Sequence, residues 1–120
     1  MKRIVYLLCI FVAINNSPLL ANSSIQDPAT VLITGSNRGI GLALAEHYAK
    51  EGWKVIATCR KPSQAKKLKT IAEKHPLVMI EKIDVTDIET INKVAYKYKD
   101  SSIDVLINNA GISGGLTNQV

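Results

Sequence analysis

The sequence predicts an α/β fold, a doubly wound parallel sheet with helices on both faces. Short apolar runs of strand length alternate with longer segments of helical spacing between Thr30 and Ile107. A glycine-rich turn, 34–41, follows the first apolar run directly and opens the first helical segment. Because strands joined by helical crossovers require right-handed connections, we expect about four parallel strands in the order 3-2-1-4.

The first half of this pattern comprises two strands and two helices. Strands are expected at 30–34 and 54–58, and helices at 39–51 and 62–74. The second helix opens with Pro62, which suits a first helical turn because an N–H at that position would have no partner. Its apolar face consists of Ala65, Leu68, Ile71 and Ala72, and its lysines lie on the opposite face.

The second half is expected to contain strands at 77–83 and 104–107 with a helix between them. Thr86-Asp87-Ile88-Glu89 has the pattern of a capping box, in which the Thr86 side chain would accept a hydrogen bond from the Glu89 N–H. Apolar residues then recur at helical spacing on one face, namely Ile88, Ile91, Val94, Ala95 and Tyr98.

The glycine-rich turn is the main functional signal. Gly35 permits a tight turn, Gly39 lets the backbone approach a ligand closely, and Gly41 lets the new helix pack against the strand. Free N–H groups and the helix dipole would face an anion at this point. Three glycines in a turn are often only a turn, but a strand before them and a helix after them favour a cradle for a dinucleotide pyrophosphate.

Two later segments bear on the same question. Asp84-Val85 closes the third predicted strand, and Asn108-Asn109-Ala110-Gly111 follows the fourth. With the turn spacing Thr-Gly-x-x-x-Gly-x-Gly, the chain resembles the short-chain dehydrogenase/reductase family over about residues 30–115. The segment 57–60, Ala-Thr-Cys-Arg, resembles its carbonyl-reductase members, including C-factor and sniffer-type proteins. The resemblance implies a Rossmann-type dinucleotide-binding fold.

The resemblance also implies which residues contact the cofactor. The turn contributes Gly35, Ser36, Asn37, Arg38, Gly39, Ile40 and Gly41, with the three glycines at the pyrophosphate. Asp84 and Val85 would contact adenine, and Asn109, Ala110 and Gly111 the ribose next to the nicotinamide.

Cofactor choice is expected to depend on the end of the second strand, where Cys59 is followed by Arg60. NAD-specific relatives carry a carboxylate there, which would repel a 2′-phosphate. A guanidinium instead binds a phosphate through paired charge-assisted hydrogen bonds, and Arg38 can reach the same phosphate from the other side. We therefore expect NADP in preference to NAD. The alternative is that Arg60 and Lys61 are only exposed charges that begin a loop.

The family's catalytic serine and its Tyr-x-x-x-Lys pair have no counterpart in the 120 residues. In the segment 96–99, Tyr-Lys-Tyr-Lys, the spacing is wrong, and the segment precedes the fourth strand. We expect the N-terminal, cofactor-binding part of an NADP-dependent carbonyl or alcohol oxidoreductase, truncated and inactive alone, which would meet its small substrate only with a second half. The alternative is a non-catalytic nucleotide-binding or C-factor-like signalling protein.

Composition argues against several other functions. The net charge is +5, and without Lys2 and Arg3 there remain 13 basic and 10 acidic residues, too small an excess to indicate nucleic-acid binding. His47 and His75 have no partners at metal-ligand spacing, so no metal is expected. An exposed edge at the fourth strand would favour homo-oligomers.

The N-terminus has the pattern of a signal peptide at residues 1–21. Lys2-Arg3 precede an apolar stretch at 4–14, and Ala21 offers a cleavage site. This stretch is too short for a membrane-spanning helix, which needs about 20 residues. We expect a linker at 22–29, a partial dinucleotide-binding domain at 30–120 and export of the protein, with a cytoplasmic location as the alternative if the leader is not used.

Overall fold

A computed structural model of the protein describes residues 25–111. It contains the strands β1 (Thr30–Ile33), β2 (Lys54–Cys59), β3 (Val78–Lys82) and β4 (Val105–Ile107). All pairings are parallel and the strand order is β3-β2-β1-β4, which confirms the predicted topology. The expected signal peptide at 1–21 lies outside the described residues.

Helices cover both faces of the sheet. The helices are α1 (Gly39–Lys50), α2 (Lys66–Lys74) and α3 (Ile88–Lys97). Alternate residues of the strands point to opposite faces. On one face Val31, Ile33 and the residues in register with them pack against α1 and α2, and on the other face Leu32 and Ile56 pack against α3. All four residues of β1 are buried, as expected of a strand covered on both sides.

The predicted start of the second helix, at Pro62, is wrong. Pro62–Gln64 forms a separate 3₁₀ turn, and α2 begins only at Lys66. Between them, Ala65 has a non-helical backbone (φ −81°, ψ 64°), and its side chain is buried in the core. The apolar face itself is confirmed, because Leu68 and Ile71 are also buried.

The predicted capping box of the third helix is also wrong. Asp87, not Thr86, caps α3, because its Oδ1 accepts a hydrogen bond from the Glu89 N–H at 3.0 Å. The Thr86 hydroxyl donates instead to Asp84 Oδ1 at 2.6 Å. The Thr86 hydroxyl is therefore bonded to the Asp84 carboxylate and does not cap α3.

The buried face of α3 is rotated relative to the prediction. Ile88 is 65% exposed and Ala95 is exposed, whereas Thr90 and Val94 are buried. Thr90 lies towards the sheet because its hydroxyl is hydrogen-bonded to the loop that leaves β3. A polar residue in the core therefore fixes the rotation of this helix.

Other boundaries differ by one residue from those expected. β1 and α1 each end one residue earlier, β2 runs on to Cys59, β3 is shorter at both ends, and β4 begins at Val105. Just before β4, the Asp104 carboxylate accepts a hydrogen bond from the Thr30 N–H at 2.7 Å and the Asp104 N–H donates to the Thr30 carbonyl oxygen at 2.9 Å. Within residues 25–111 there is no helix with the length and apolar character needed to cross a membrane.

Candidate functional site

A cavity of about 650 Å³ lies at the carboxyl ends of the strands, where the loops after β1, β2, β3 and β4 meet. In open parallel sheets this edge is where ligands bind. The cavity is lined by most of the residues predicted to contact a cofactor, namely Gly35, Asn37, Arg38, Gly39, Ile40, Arg60, Asp84, Val85, Asn109, Ala110 and Gly111. Four loops that are distant in sequence therefore form one site.

Two glycines of the turn have backbone conformations that other residues rarely adopt. Gly35 has φ +68°, and a Cβ there would lie 3.0 Å from the Ala110 Cα. Gly39 has φ +56°, and apart from its chain neighbours and the backbone of its own helix no atom of the described residues lies within 4 Å of the position of its Cβ. Gly35 is therefore needed for packing within the protein, whereas Gly39 borders open space that a ligand could fill.

Gly41 has a structural function, because it lies where the helix meets the turn. A Cβ at this position would overlap the Gly35 carbonyl oxygen and approach Asn109 Nδ2 to 2.6 Å. Gly41 does not line the cavity. It lets α1 begin in contact with the turn and with the loop after β4.

The N-terminus of α1 is uncapped. Arg38, the N-cap residue, has an extended backbone and makes no side-chain capping bond, and the first turn contains no acidic residue. The first helical hydrogen bond runs from the Leu42 N–H to the Arg38 carbonyl oxygen at 3.2 Å. The preceding N–H groups, those of Gly39, Ile40 and Gly41, are not used within the helix. Together with the helix dipole they favour an anion at this end.

Thr34 joins the turn to the loop after β4. Its Oγ1 accepts hydrogen bonds from the N–H groups of Asn109 at 3.1 Å and Ala110 at 3.0 Å. The Asn109 side chain donates to the Gly35 carbonyl oxygen at 3.1 Å. The relative position of these two loops is therefore fixed by hydrogen bonds between residues more than 70 positions apart in sequence.

Ser36, a further predicted contact, does not line the cavity. It is completely buried, its hydroxyl donates to the Ile33 carbonyl oxygen at 2.8 Å, and its N–H donates to the Thr58 carbonyl oxygen at 2.8 Å. Ser36 thus stabilises the turn from within, and its hydroxyl is engaged in a bond to the protein.

The cavity is lined by positive charges and by one carboxylate. Arg38, Arg60 and Lys61 line it and are exposed. Hydrogen bonds from the Thr86 hydroxyl and N–H lower the pKa of the Asp84 carboxyl group, with a smaller contribution from the positive charge of Arg60. The carboxylate is therefore ionised at neutral pH and can accept hydrogen bonds.

Several lining residues were not predicted as contacts. These are Cys59, Lys61, Gln64, Ile83 and Thr86. Cys59 is 2% exposed, and burial raises the pKa of its thiol, which disfavours a nucleophilic thiolate. Gln64 reaches the cavity through the 3₁₀ turn, for which the sequence carries no clear signal.

The tyrosines and lysines at 96–99 do not contribute to this cavity. Tyr96 is 73% exposed, with the Lys99 ammonium group 4.6 Å from the centre of its ring. The Tyr98 hydroxyl donates to Glu81 Oε1 at 2.7 Å, and Glu81 also pairs with Lys97. Among residues 25–111, no group of three or more His, Cys, Asp or Glu side chains is placed to hold a metal ion.

The strand order, the glycine turn and the cavity at the carboxyl edge define a Rossmann-type α/β domain. The family model for short chain dehydrogenases matches residues 29–119. The chain therefore belongs to the short chain dehydrogenase family.

Known relatives agree with this assignment. The chain is 40% identical over 88 residues to a serine 3-dehydrogenase of Rhizobium radiobacter, covering 72% of this chain and 34% of the relative. It is 36% identical over 90 residues to (-)-isopiperitenone reductase of Mentha piperita, covering 69% of this chain and 29% of the relative. The chain thus spans about a third of the length of these curated relatives.

Solved structures give the same picture. NADPH-bound carbonyl reductase from chicken fatty liver superposes with a TM-score of 0.63 at 40% identity, over 71% of this chain and 35% of that one. A carbonyl reductase from Pseudomonas aeruginosa in complex with NADP superposes with a TM-score of 0.67 at 33% identity, over 70% and 39%. The family resemblance predicted from the glycine turn and the two later motifs is confirmed.

Proposed function

We propose that these residues form the N-terminal, NADP-binding part of an oxidoreductase that acts on a carbonyl or alcohol substrate. The observation that carries the proposal is the uncapped N-terminus of α1, which opens on a cavity lined by Arg38 and Arg60. A phosphate-bearing ligand fits such a site, because unused N–H groups and guanidinium groups both bind anions. The carbonyl reductases with NADPH or NADP support this choice of cofactor.

Each part of the cavity has an assigned role in this proposal. The turn at 35–41 holds the pyrophosphate, and Arg38 and Arg60 bind the 2′-phosphate. Asp84 and Val85 contact the adenine, whereas residues 109–111 contact the ribose beside the nicotinamide. Ser36 and Gly41 act indirectly, because their contacts lie within the turn. The bound cofactor supplies hydride chemistry, and the residues of this chain bind and orient it.

Proton transfer lies outside the proposed role of these residues. The reaction needs a proton donor next to the carbonyl that receives the hydride. The family's Tyr-x-x-x-Lys pair does not occur in the 120 residues, and among the described tyrosines Tyr98 is bonded to Glu81 away from the cavity. We therefore propose that the 120-residue chain binds cofactor and does not turn over NADPH alone.

Calorimetric titration of the 120-residue chain with NADPH and NADH tests the proposal. NADPH is expected to bind more tightly by about 1.5–3 kcal/mol for each charge-assisted contact to the 2′-phosphate. Arg60→Asp should remove or invert this preference. Lys67→Asp makes the same change of charge on an exposed part of α2 outside the cavity and should leave the preference intact. Equal affinity of the unmutated chain for both cofactors would contradict the assignment of Arg60.

A further inference from the structure

The loop from Asp84 to Asp87 joins β3 to α3 and forms one wall of the cavity. Asp84, Val85 and Thr86 line the cavity, and Val85 is 42% exposed. Two threonines hold this loop, one from within it and one from α3. The structure of the loop therefore depends on side-chain hydroxyl groups as well as on its own backbone.

Thr90 bonds to the main chain on both sides of the loop. Its Oγ1 accepts a hydrogen bond from the Asp84 N–H at 2.9 Å and lies 2.8 Å from the Asp87 carbonyl oxygen and 3.1 Å from that of Asp84. A hydroxyl has one hydrogen to donate, which these two carbonyl oxygens share. Thr90 is only 7% exposed, so loss of the hydroxyl would leave the Asp84 N–H without this partner in a largely buried place.

Thr86 acts on the side chain of Asp84 instead. Both its N–H, at 2.9 Å, and its hydroxyl, at 2.6 Å, donate to Asp84 Oδ1. These two bonds restrict the rotation of the carboxylate, and Oδ2 has no hydrogen-bond partner among the described residues. Because Asp84 lines the cavity, its ionised carboxylate suits a ligand with an N–H donor, such as the exocyclic amino group of adenine.

We propose that Thr86 and Thr90 are positioning residues for adenine recognition, Thr90 through the main chain of Asp84 and Thr86 through its carboxylate. This inference rests on the proposed function, because it places adenine at Asp84. It adds that the two threonines orient the carboxylate, so that adenine, whose amino group donates, is preferred over hypoxanthine, whose oxygen at the same position accepts and cannot donate. Two carbonyl-type oxygens facing each other repel.

The test is calorimetric titration of the full 120-residue chain with adenosine 2′,5′-bisphosphate and inosine 2′,5′-bisphosphate. These probes share the phosphates and ribose and differ in the group that would face Asp84. The unmutated chain is expected to prefer the adenosine compound by about tenfold, the value of one charge-assisted hydrogen bond. Thr90→Val should reduce this ratio to about two and Thr86→Val to about three to five, because the Thr86 N–H still bonds to Asp84.

Two further variants separate positioning from simple stability. Thr90→Ser keeps the hydroxyl and should retain the ratio of the unmutated chain. Val94→Ala removes buried methyl groups from the same helix without touching the loop, so it should lower the thermal midpoint and leave the ratio unchanged. Thr86 is exposed, so Thr86→Val tests the inference even where Thr90→Val does not fold.

The two probes distinguish failure of the proposed function from failure of the positioning by Thr86 and Thr90. If the unmutated chain binds neither probe, the proposed function is overturned and this inference with it. If it binds both probes equally, or if Thr86→Val and Thr90→Val keep the full ratio, phosphate recognition stands and the positioning of Asp84 by the two threonines is overturned. Loss of the ratio in Val94→Ala as well would show that general stability of α3, not the hydroxyl groups, controls it.

Discussion

The two edges of the sheet carry cavities of similar size and opposite chemistry. The cavity at the carboxyl edge is about 650 Å³ and the one at the amino edge about 610 Å³. Arg38, Arg60 and Lys61 line the first, whereas the second is lined by three carboxylates, Asp27, Asp100 and Asp104, with Lys54 as its basic residue. Volume alone therefore does not distinguish a phosphate site from a surface depression.

The ends of α1 and the packing of two glycines also distinguish the carboxyl edge from the amino edge. Helix α1 begins at the carboxyl edge with unused N–H groups and ends towards the amino edge, where its last carbonyl groups carry partial negative charge. Glycines at the two edges also differ, because Gly41 is closely packed and Gly52 has open space around its Cβ position. An anionic dinucleotide is expected at the first edge and disfavoured at the second.

The largest expected effect is that of Gly41→Ala compared with Gly52→Ala. At Gly41 the new Cβ meets the rigid carbonyl of Gly35, so we expect a loss of about 3 kcal/mol in the free energy of unfolding and loss of NADPH binding. At Gly52 only the positive φ of 80° is unfavourable, which costs about 1 kcal/mol. Urea unfolding measures both losses. Equal losses at the two positions would contradict the packing described for Gly41.

Thr30 is the first residue of β1, and Thr34 follows its last residue. Thr34→Val removes the acceptor for the Asn109 and Ala110 N–H groups and should cost about 2 kcal/mol of stability and weaken NADPH binding. The hydroxyl of Thr30 makes no hydrogen bond to residues 25–111, so Thr30→Val should change stability by less than about 0.5 kcal/mol. Thermal unfolding and NADPH titration of both variants check this. If Thr34→Val binds NADPH as the unmutated chain does, the link between the loops is not needed for the site.

A smaller effect is expected of Tyr98→Phe, because Tyr98 lines the cavity at the amino edge and not the proposed cofactor site. Loss of the bond to Glu81 should cost about 1 kcal/mol without change in NADPH affinity. Burial and the bond to Glu81 raise the pKa of Tyr98 above 10.0 in the folded state, so this stabilisation is complete below pH 10 and falls as the pH rises beyond it. Unfolding at pH 8 and pH 11 should show the difference between the two proteins shrinking at the higher pH. A changed NADPH affinity would mean that the two edges are coupled.

The sequence predicts the fold well because the relevant signals are local. Alternation of strand-length and helix-length segments predicts a parallel sheet, and the glycine turn after the first strand points to the dinucleotide-binding order 3-2-1-4 and marks the start of α1. The apolar face of α2 also follows from its period. These features follow from backbone geometry and from the spacing of apolar residues, which can both be read from positions close together in the sequence.

The errors occur where hydrogen bonds or core packing override the local pattern. Thr86 fits a capping box, yet its hydroxyl bonds to Asp84, and α3 rotates so that Thr90 reaches the loop. Ser36 is predicted as a cofactor contact, and the sequence pattern does not reveal that its hydroxyl donates to the Ile33 carbonyl oxygen within the turn. The bond between Asn109 and Gly35 joins positions 74 residues apart, and no periodicity in the sequence predicts such a contact.

Amide chemical-shift mapping of the ¹⁵N-labelled 120-residue chain during titration with NADPH shows which edge of the sheet binds the cofactor. We expect shifts at the amides of residues 35–41, at Arg60 and in the loops at 84–86 and 109–111. Little change is expected at the amino edge, around Asp27, Lys54 and 100–104. Saturable shifts confined to the amino edge, or no saturable shifts at the glycine turn, would contradict the claim that the carboxyl edge is the cofactor site.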